Sequence, residues 1–172
     1  MYILSQILVV FSDLFCIISM LKSKKKNVVF FLILSTILFA SHYICLGGWT
    51  GAAIAFVEIL FLVFMYILEV KNKTKFNIWL SMGTIIVTVI LSIVTWAGWI
   101  SVLPMLAMVI YLITMMFKNV VIVKSGAFIR IALNAVYMLL LSSYFGAGLS
   151  LVILGFTIYG IFKDKQLRKI NN

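Results

Sequence analysis

The sequence predicts an all-α, polytopic membrane protein, and three observations predict it. Of 172 residues, 65% are hydrophobic and 10% charged, and the mean hydropathy is +1.25. A soluble domain carries roughly 45–50% apolar and about 25% charged residues, so this chain lacks the polar surface to coat itself in water. Its apolar residues fall in runs of about 20, the length of a helix that crosses a bilayer. Its basic residues gather between alternate runs, a pattern that membrane topology sets.

Seven runs can be separated, at Tyr2–Met20, Asn27–Leu46, Thr50–Val70, Phe76–Thr95, Trp99–Phe117, Gly126–Phe145 and Ala147–Phe162. The first has no basic region before it and no small-residue cleavage site after it, so it reads as a retained span and not as a signal peptide. Glycine supplies a tight turn at Gly47-Gly48-Trp49, between the second and third spans, and at Phe145-Gly146-Ala147, between the sixth and seventh. The whole chain, 1–172, is then a single transmembrane domain.

The charges test the count of seven. Lys22, Lys24, Lys25 and Lys26 follow span one, and Lys71, Lys73 and Lys75 follow span three. Lys118 and Lys124 follow span five, and Lys163, Lys165, Arg168 and Lys169 follow span seven. With Arg130, read as snorkelling from just inside span six to the headgroups, all 14 basic residues share one side. The positive-inside rule makes that side cytoplasmic, which puts the N-terminus outside and the C-terminus inside a bacterial inner membrane. Trp49, Trp96 and Trp99 fall at the outer interface and Trp79 near the inner one, where amphipathic rings are favoured. The net charge of +10 is thus a topology signal, and nucleic acid is not an expected partner. The expected partners are membrane lipids and an unknown small solute; a homo-oligomer is compatible with this size, but no interface is legible.

A repeat is visible when the chain is shifted by 95 residues. Leu38 then meets Leu133, Ala40 meets Ala135, Gly51 meets Gly146, Ala52 meets Ala147 and Phe61 meets Phe156. This divides the chain into a three-helix repeat (1–75), a linker helix (76–97) and a second three-helix repeat (98–172), a parallel 3+1+3 pseudo-repeat of the transporter type.

Charged groups within spans are costly, by about 2.5–3.5 kcal/mol at the helix centre. Two carboxylates are nevertheless kept there, Asp13 and Glu58. At 1.5 Å rise per residue, Asp13 and Asn134 lie roughly 16 Å from the outer boundary and Glu58 roughly 12 Å, a common level near the midplane. These three are the expected substrate-binding groups; alternatively each carboxylate is neutral and bonded to a neighbouring backbone or hydroxyl group. Gly51 and Ala55 continue the face of Glu58 and let helices approach closely, which turns Glu58 inward. His42, the only histidine, is expected near the outer mouth, where Tyr43 and Tyr137 would line a vestibule. Pro104 removes a hydrogen bond from span five and is the expected kink or hinge. Cys16 and Cys45 lie at different depths, too far apart for a disulfide. No catalytic constellation, metal-ligand spacing or cofactor motif is legible, so an enzyme is not expected.

Several of these residues carry a family resemblance. Gln6, the basic loop, and the stretch from His42 through Leu46, Gly47, Gly48 and Trp49 to Ala53 resemble the YgjV-type bacterial inner-membrane proteins. Val102, Leu103 and Pro104, and the turn before Gly146, fit the same pattern. The chain departs from it at Glu58 and Phe61, where the family pattern has asparagine and arginine, and in span six, where Asn134 and Tyr137 stand earlier than that pattern's polar residues. The resemblance implies topology and location and carries no activity with it. The helix layout is also similar to those of the sugar facilitators (SWEET) and nicotinamide-riboside transporters. The function expected on these grounds is a small-solute transporter or facilitator; a non-transporting protein that binds lipid or regulates a partner is the alternative.

Overall fold

The structure, a computed structural model, describes residues 2–71, 73, 76–96 and 98–171. Lys75 lies outside the described residues, as do the side chains of Arg168 and Lys169. Seven α-helices follow in order: α1 (Tyr2–Leu21), α2 (Lys25–Leu46), α3 (Trp49–Val70), α4 (Asn77–Val94), α5 (Val102–Met115), α6 (Val120–Leu140) and α7 (Tyr144–Asn171). A single 3-10 turn, Trp99–Ser101, leads into α5. Six of the helices are long and apolar enough to cross a membrane, and Trp99–Met115 is a shorter apolar one. No strand occurs among the described residues. The outward-facing side chains include Phe11, Phe56, Phe64, Ile86 and Leu151, a surface suited to lipid and not to water.

Short connections make neighbouring helices antiparallel, so the described loop lysines collect at one end of the bundle. The helices pack as two triplets, α1–α3 and α5–α7. Within each, the second helix lies between the first and third. The triplets meet where α1 packs on α7 and α3 on α5, and α4 rests against α3 and α5. The inward face of α4 is a hydroxyl stripe, Ser81, Thr84, Thr88 and Ser92, one turn apart. Such small residues let membrane helices approach closely.

A 95-residue shift carries α2 onto α6 and the start of α3 onto the start of α7, while α5 is shorter than α1 and α7 runs on past the end of α3. The same shift carries one turn onto the other bond for bond. Gly47 closes α2 at φ 72, with its N–H bonded to Ile44 and that of Gly48 to Tyr43. Ser142 closes α6 at φ 59, with its N–H bonded to Leu139 and that of Ser143 to Met138. Both are Schellman-type ends with a left-handed residue at the turn.

That equivalence corrects the expected boundary. The α6–α7 turn is Leu141–Ser143, and Gly146 lies inside α7. Gly146 suggests a glycine turn, whereas Ser142 holds the left-handed position. The start of α6 is earlier too. Asn119 caps it by accepting a hydrogen bond from the Val121 N–H (3.1 Å), and Lys124 is a fully buried helix residue, not a loop charge. Pro104 sits in the first turn of α5, just after the 3-10 turn, near the outer end of the span.

Candidate functional site

The chain places its polar groups near the middle of their helices. Asp13 lies just past the centre of α1, Glu58 near the centre of α3, and Arg130 at the midpoint of α6. All three are buried, at 5%, 7% and 9% exposure, and all line one cavity of about 50 Å³ measured at the centres of water molecules. That volume holds a few waters. Ser35, Asn134 and Ser150 add polar atoms to its wall. Along α2 it is bracketed by the buried Leu32 on the side of the basic loops and by Tyr43 on the other.

Arg130 does not snorkel. Its Nη1 donates to Glu58 Oε1 in a buried ion pair between α6 and α3, and its guanidinium carbon lies 4.6 Å from the centre of the Tyr111 ring. The pair joins the two triplets. Glu58 thus has a guanidinium partner as well as a hydroxyl neighbour. The Thr36 hydroxyl, 3.5 Å away, adds little, because it donates to the Leu32 carbonyl at 2.8 Å. Arg130 was missed as a site residue because placing the start of span six at Gly126 left it four residues from the helix end. With α6 beginning at Val120 it lies about 15 Å deep at 1.5 Å per residue.

Asp13 is differently placed. Its Oδ2 is buried without a hydrogen-bond partner. Asn134, half-buried, also faces the cavity, so three expected groups, Asp13, Glu58 and Asn134, are brought together. Pro104 joins them as part of the wall.

His42 and Tyr137 are not brought to the cavity wall. His42 is fully buried between α1 and α2, where its Nδ1–H donates to the Ser5 carbonyl (2.9 Å) and lies 2.9 Å from the Ser5 hydroxyl. It fastens the two helices. Tyr137 stands behind Tyr43, with ring centres 5.7 Å apart and nearly edge to face. Both rings are 3% exposed, so together they form a plug and not an open vestibule. Gly51 makes room for them: a Cβ there would come within 3.1 Å of each ring.

The cavity is symmetric in frame and asymmetric in chemistry. Positions 95 residues apart line it in pairs: Asp13 with Met108, Ser35 with Arg130, Phe39 with Asn134, and Glu58 with Ile153. The first triplet supplies the carboxylates. The second supplies the guanidinium and the amide.

Among known proteins, a family model described as Imp-YgjV, bacterial inner membrane protein, matches residues 3–168. The chain belongs to this family. It is accordingly a bacterial inner membrane protein, as its hydropathy and helices indicate. No curated protein and no solved structure matches it.

Proposed function

We propose that this member of the Imp-YgjV family is a small-solute transporter or facilitator, with its binding site in the cavity between the triplets. The observation that carries the reading is the cavity itself: an ion pair, an unpartnered carboxylate and an amide gathered at mid-depth in an apolar bundle. Ionisable groups held within spans are costly and mark solute or ion pathways, and transporters built from repeats place their sites near the midplane between them. The two triplets would rock about Glu58, Arg130, Asp13 and Asn134, with the Tyr43–Tyr137 plug on one side and the apolar packing around Leu62 and Met115 on the other. A carrier of this kind needs no covalent chemistry from the chain.

The orientation that goes with it has the N-terminus outside and the basic loops in the cytoplasm, since positive charge is retained there. Single cysteines at Ser142 and Lys118, in a chain with Cys16 and Cys45 replaced by serine, test it in intact cells. An impermeant maleimide should label the first and spare the second.

The test of function is uptake by proteoliposomes across a panel of vitamins, nucleosides, sugars, amines and amino acids. Glu58→Gln should change uptake of the accepted solute at least severalfold while leaving expression intact. Wild-type uptake in that variant would remove Glu58 from the site. The second reading, a lipid-binding or partner-regulating protein, draws on an apolar groove between α6 and α7 walled by Phe128, Ile129, Ile158 and Phe162. It predicts a lipid or protein that co-purifies and an indifference to neutralising the carboxylates.

A further inference from the structure

The charges of the cavity do not balance. Its lining residues include two carboxylates, Asp13 and Glu58, and one guanidinium, Arg130. The charges of Glu58 and Arg130 offset each other, although the Arg130 Nε is buried without a hydrogen-bond partner. Asp13 remains, with 5% exposure and an oxygen that has neither solvent nor a hydrogen-bond partner. A buried anion without a counter-charge is strongly disfavoured, so the site as built is one positive charge short. That shortfall discriminates among solutes. A sugar brings no charge, a zwitterion brings one of each sign, and an anion deepens the imbalance. A monovalent cation completes it.

The walls suit an organic cation. Phe39 and Tyr43 both line the cavity and stand edge to face, 4.8 Å between centres. Aromatic rings attract a desolvated ammonium group. Asn134 offers an amide oxygen on the opposite triplet. Arg130, the one group that would repel a cation, is already engaged by Glu58 and by the Tyr111 ring.

We propose that the cavity is a binding site for a small ammonium-bearing solute, whose N–H groups donate to the Asp13 carboxylate while its carbon atoms pack on Phe39 and Tyr43. This rests on the reading of the cavity as the solute site and narrows it to a class. It does not require transport in order to be tested.

The probes are methylammonium, ethylammonium and ethanolammonium chlorides, with sodium chloride and uncharged ethylene glycol as controls at matched pH and ionic strength. Binding to the folded state raises the melting temperature of the purified protein in detergent by mass action. The ammonium salts should raise it saturably, and the controls should not. Asp13→Asn should weaken that response at least tenfold, with Asp13→Glu retaining part of it. If Asp13→Asn does not fold, Phe39→Leu keeps an apolar wall without the ring and should weaken it severalfold. Equal responses in wild type and Asp13→Asn overturn the proposal, as they would if a proton alone neutralised Asp13. A sodium-only response lost in Asp13→Asn overturns the organic class. A response to neutral solutes alone overturns the cation class and leaves the transporter reading standing. Asp13-dependent ammonium binding without accumulation in proteoliposomes upholds the site and removes the transport reading.

Discussion

Glu69 and Asp164 stand 95 residues apart, and each accepts the lysine of the helix before its own. Lys25 Nζ lies 3.0 Å from Glu69 and Lys124 Nζ 2.6 Å from Asp164. Each pair also reaches into the opposite triplet. Lys25 donates to the Met115 and Phe117 carbonyls at the end of α5, both at 3.1 Å, and Asp164 accepts from the Ser23 hydroxyl, just past α1, at 2.7 Å. Two latches, with their acids 95 residues apart and their lysines about one helical turn out of register, therefore tie the triplets together at the end that carries the basic loops.

Opening those latches should expose the cavity from that end. Cys16 is buried and lines the cavity, and with Cys45→Ser it is the sole thiol. In that background Glu69→Gln with Asp164→Asn should speed alkylation of Cys16 by N-ethylmaleimide severalfold. An unchanged rate would mean that the apolar packing around Met20, Leu62 and Met115 alone holds this end shut.

The charge count of the cavity fixes an order of tolerance among its variants. Removing one member of a buried pair costs about 3–5 kcal/mol when the other charge is left alone. Glu58→Gln leaves Arg130 with Asp13 in the same cavity, so the lining charges sum to zero. Arg130→Met leaves two carboxylates and no cation. Apparent melting temperature should fall more in Arg130→Met than in Glu58→Gln, and Glu58→Gln should partly restore Arg130→Met in the double variant. The reverse order would show that packing of the guanidinium on Tyr111, and not its charge, is what the site needs.

Much of this arrangement was legible in the chain. Hydropathy runs marked the helices because each must bury its backbone in lipid, and the lysines marked the loops at one end. Asp13, Glu58 and Asn134 could be set at one depth by counting residues. What the sequence concealed is pairing at long range. Nothing local tells that Arg130 meets Glu58, 72 residues away, or that Lys124 folds inward onto Asp164. A lysine near a span end reads as a loop charge until its carboxylate partner is located in space. His42 was similarly ambiguous, since its partner Ser5 lies 37 residues earlier.

The α6–α7 turn carries strain that can be removed. Ser142 is the one non-glycine residue at positive φ among the described residues, and a side chain there costs roughly 1–2 kcal/mol. Gly47 occupies the equivalent place without that cost. Ser142→Gly should therefore raise the apparent melting temperature by a few degrees, about 2–4 °C per kcal/mol at this chain length, and Gly47→Ala should lower it. A fall in Ser142→Gly would mean that its side chain contributes more to the turn than its backbone costs.

Two glycines of α7 should respond oppositely to the same change. Gly155 is exposed, and a Cβ there meets nothing. Gly155→Ala removes backbone freedom at no steric cost and should stabilise by about 0.5–1 kcal/mol. Gly160 is buried where α7 passes the end of α1, and a Cβ there would overlap the Met20 carbonyl oxygen. A carbonyl cannot rotate aside as a flexible side chain can, so Gly160→Ala must part the two helices. Overpacking of this kind costs typically 1–3 kcal/mol. The shift would also disturb Lys124, which reaches the Gly160 carbonyl (3.4 Å) as well as Asp164. Gly160→Ala should thus lower the melting temperature and, in the Cys45→Ser background, speed alkylation of Cys16. Loss of stability without faster alkylation would place the Gly160 contact outside the latch.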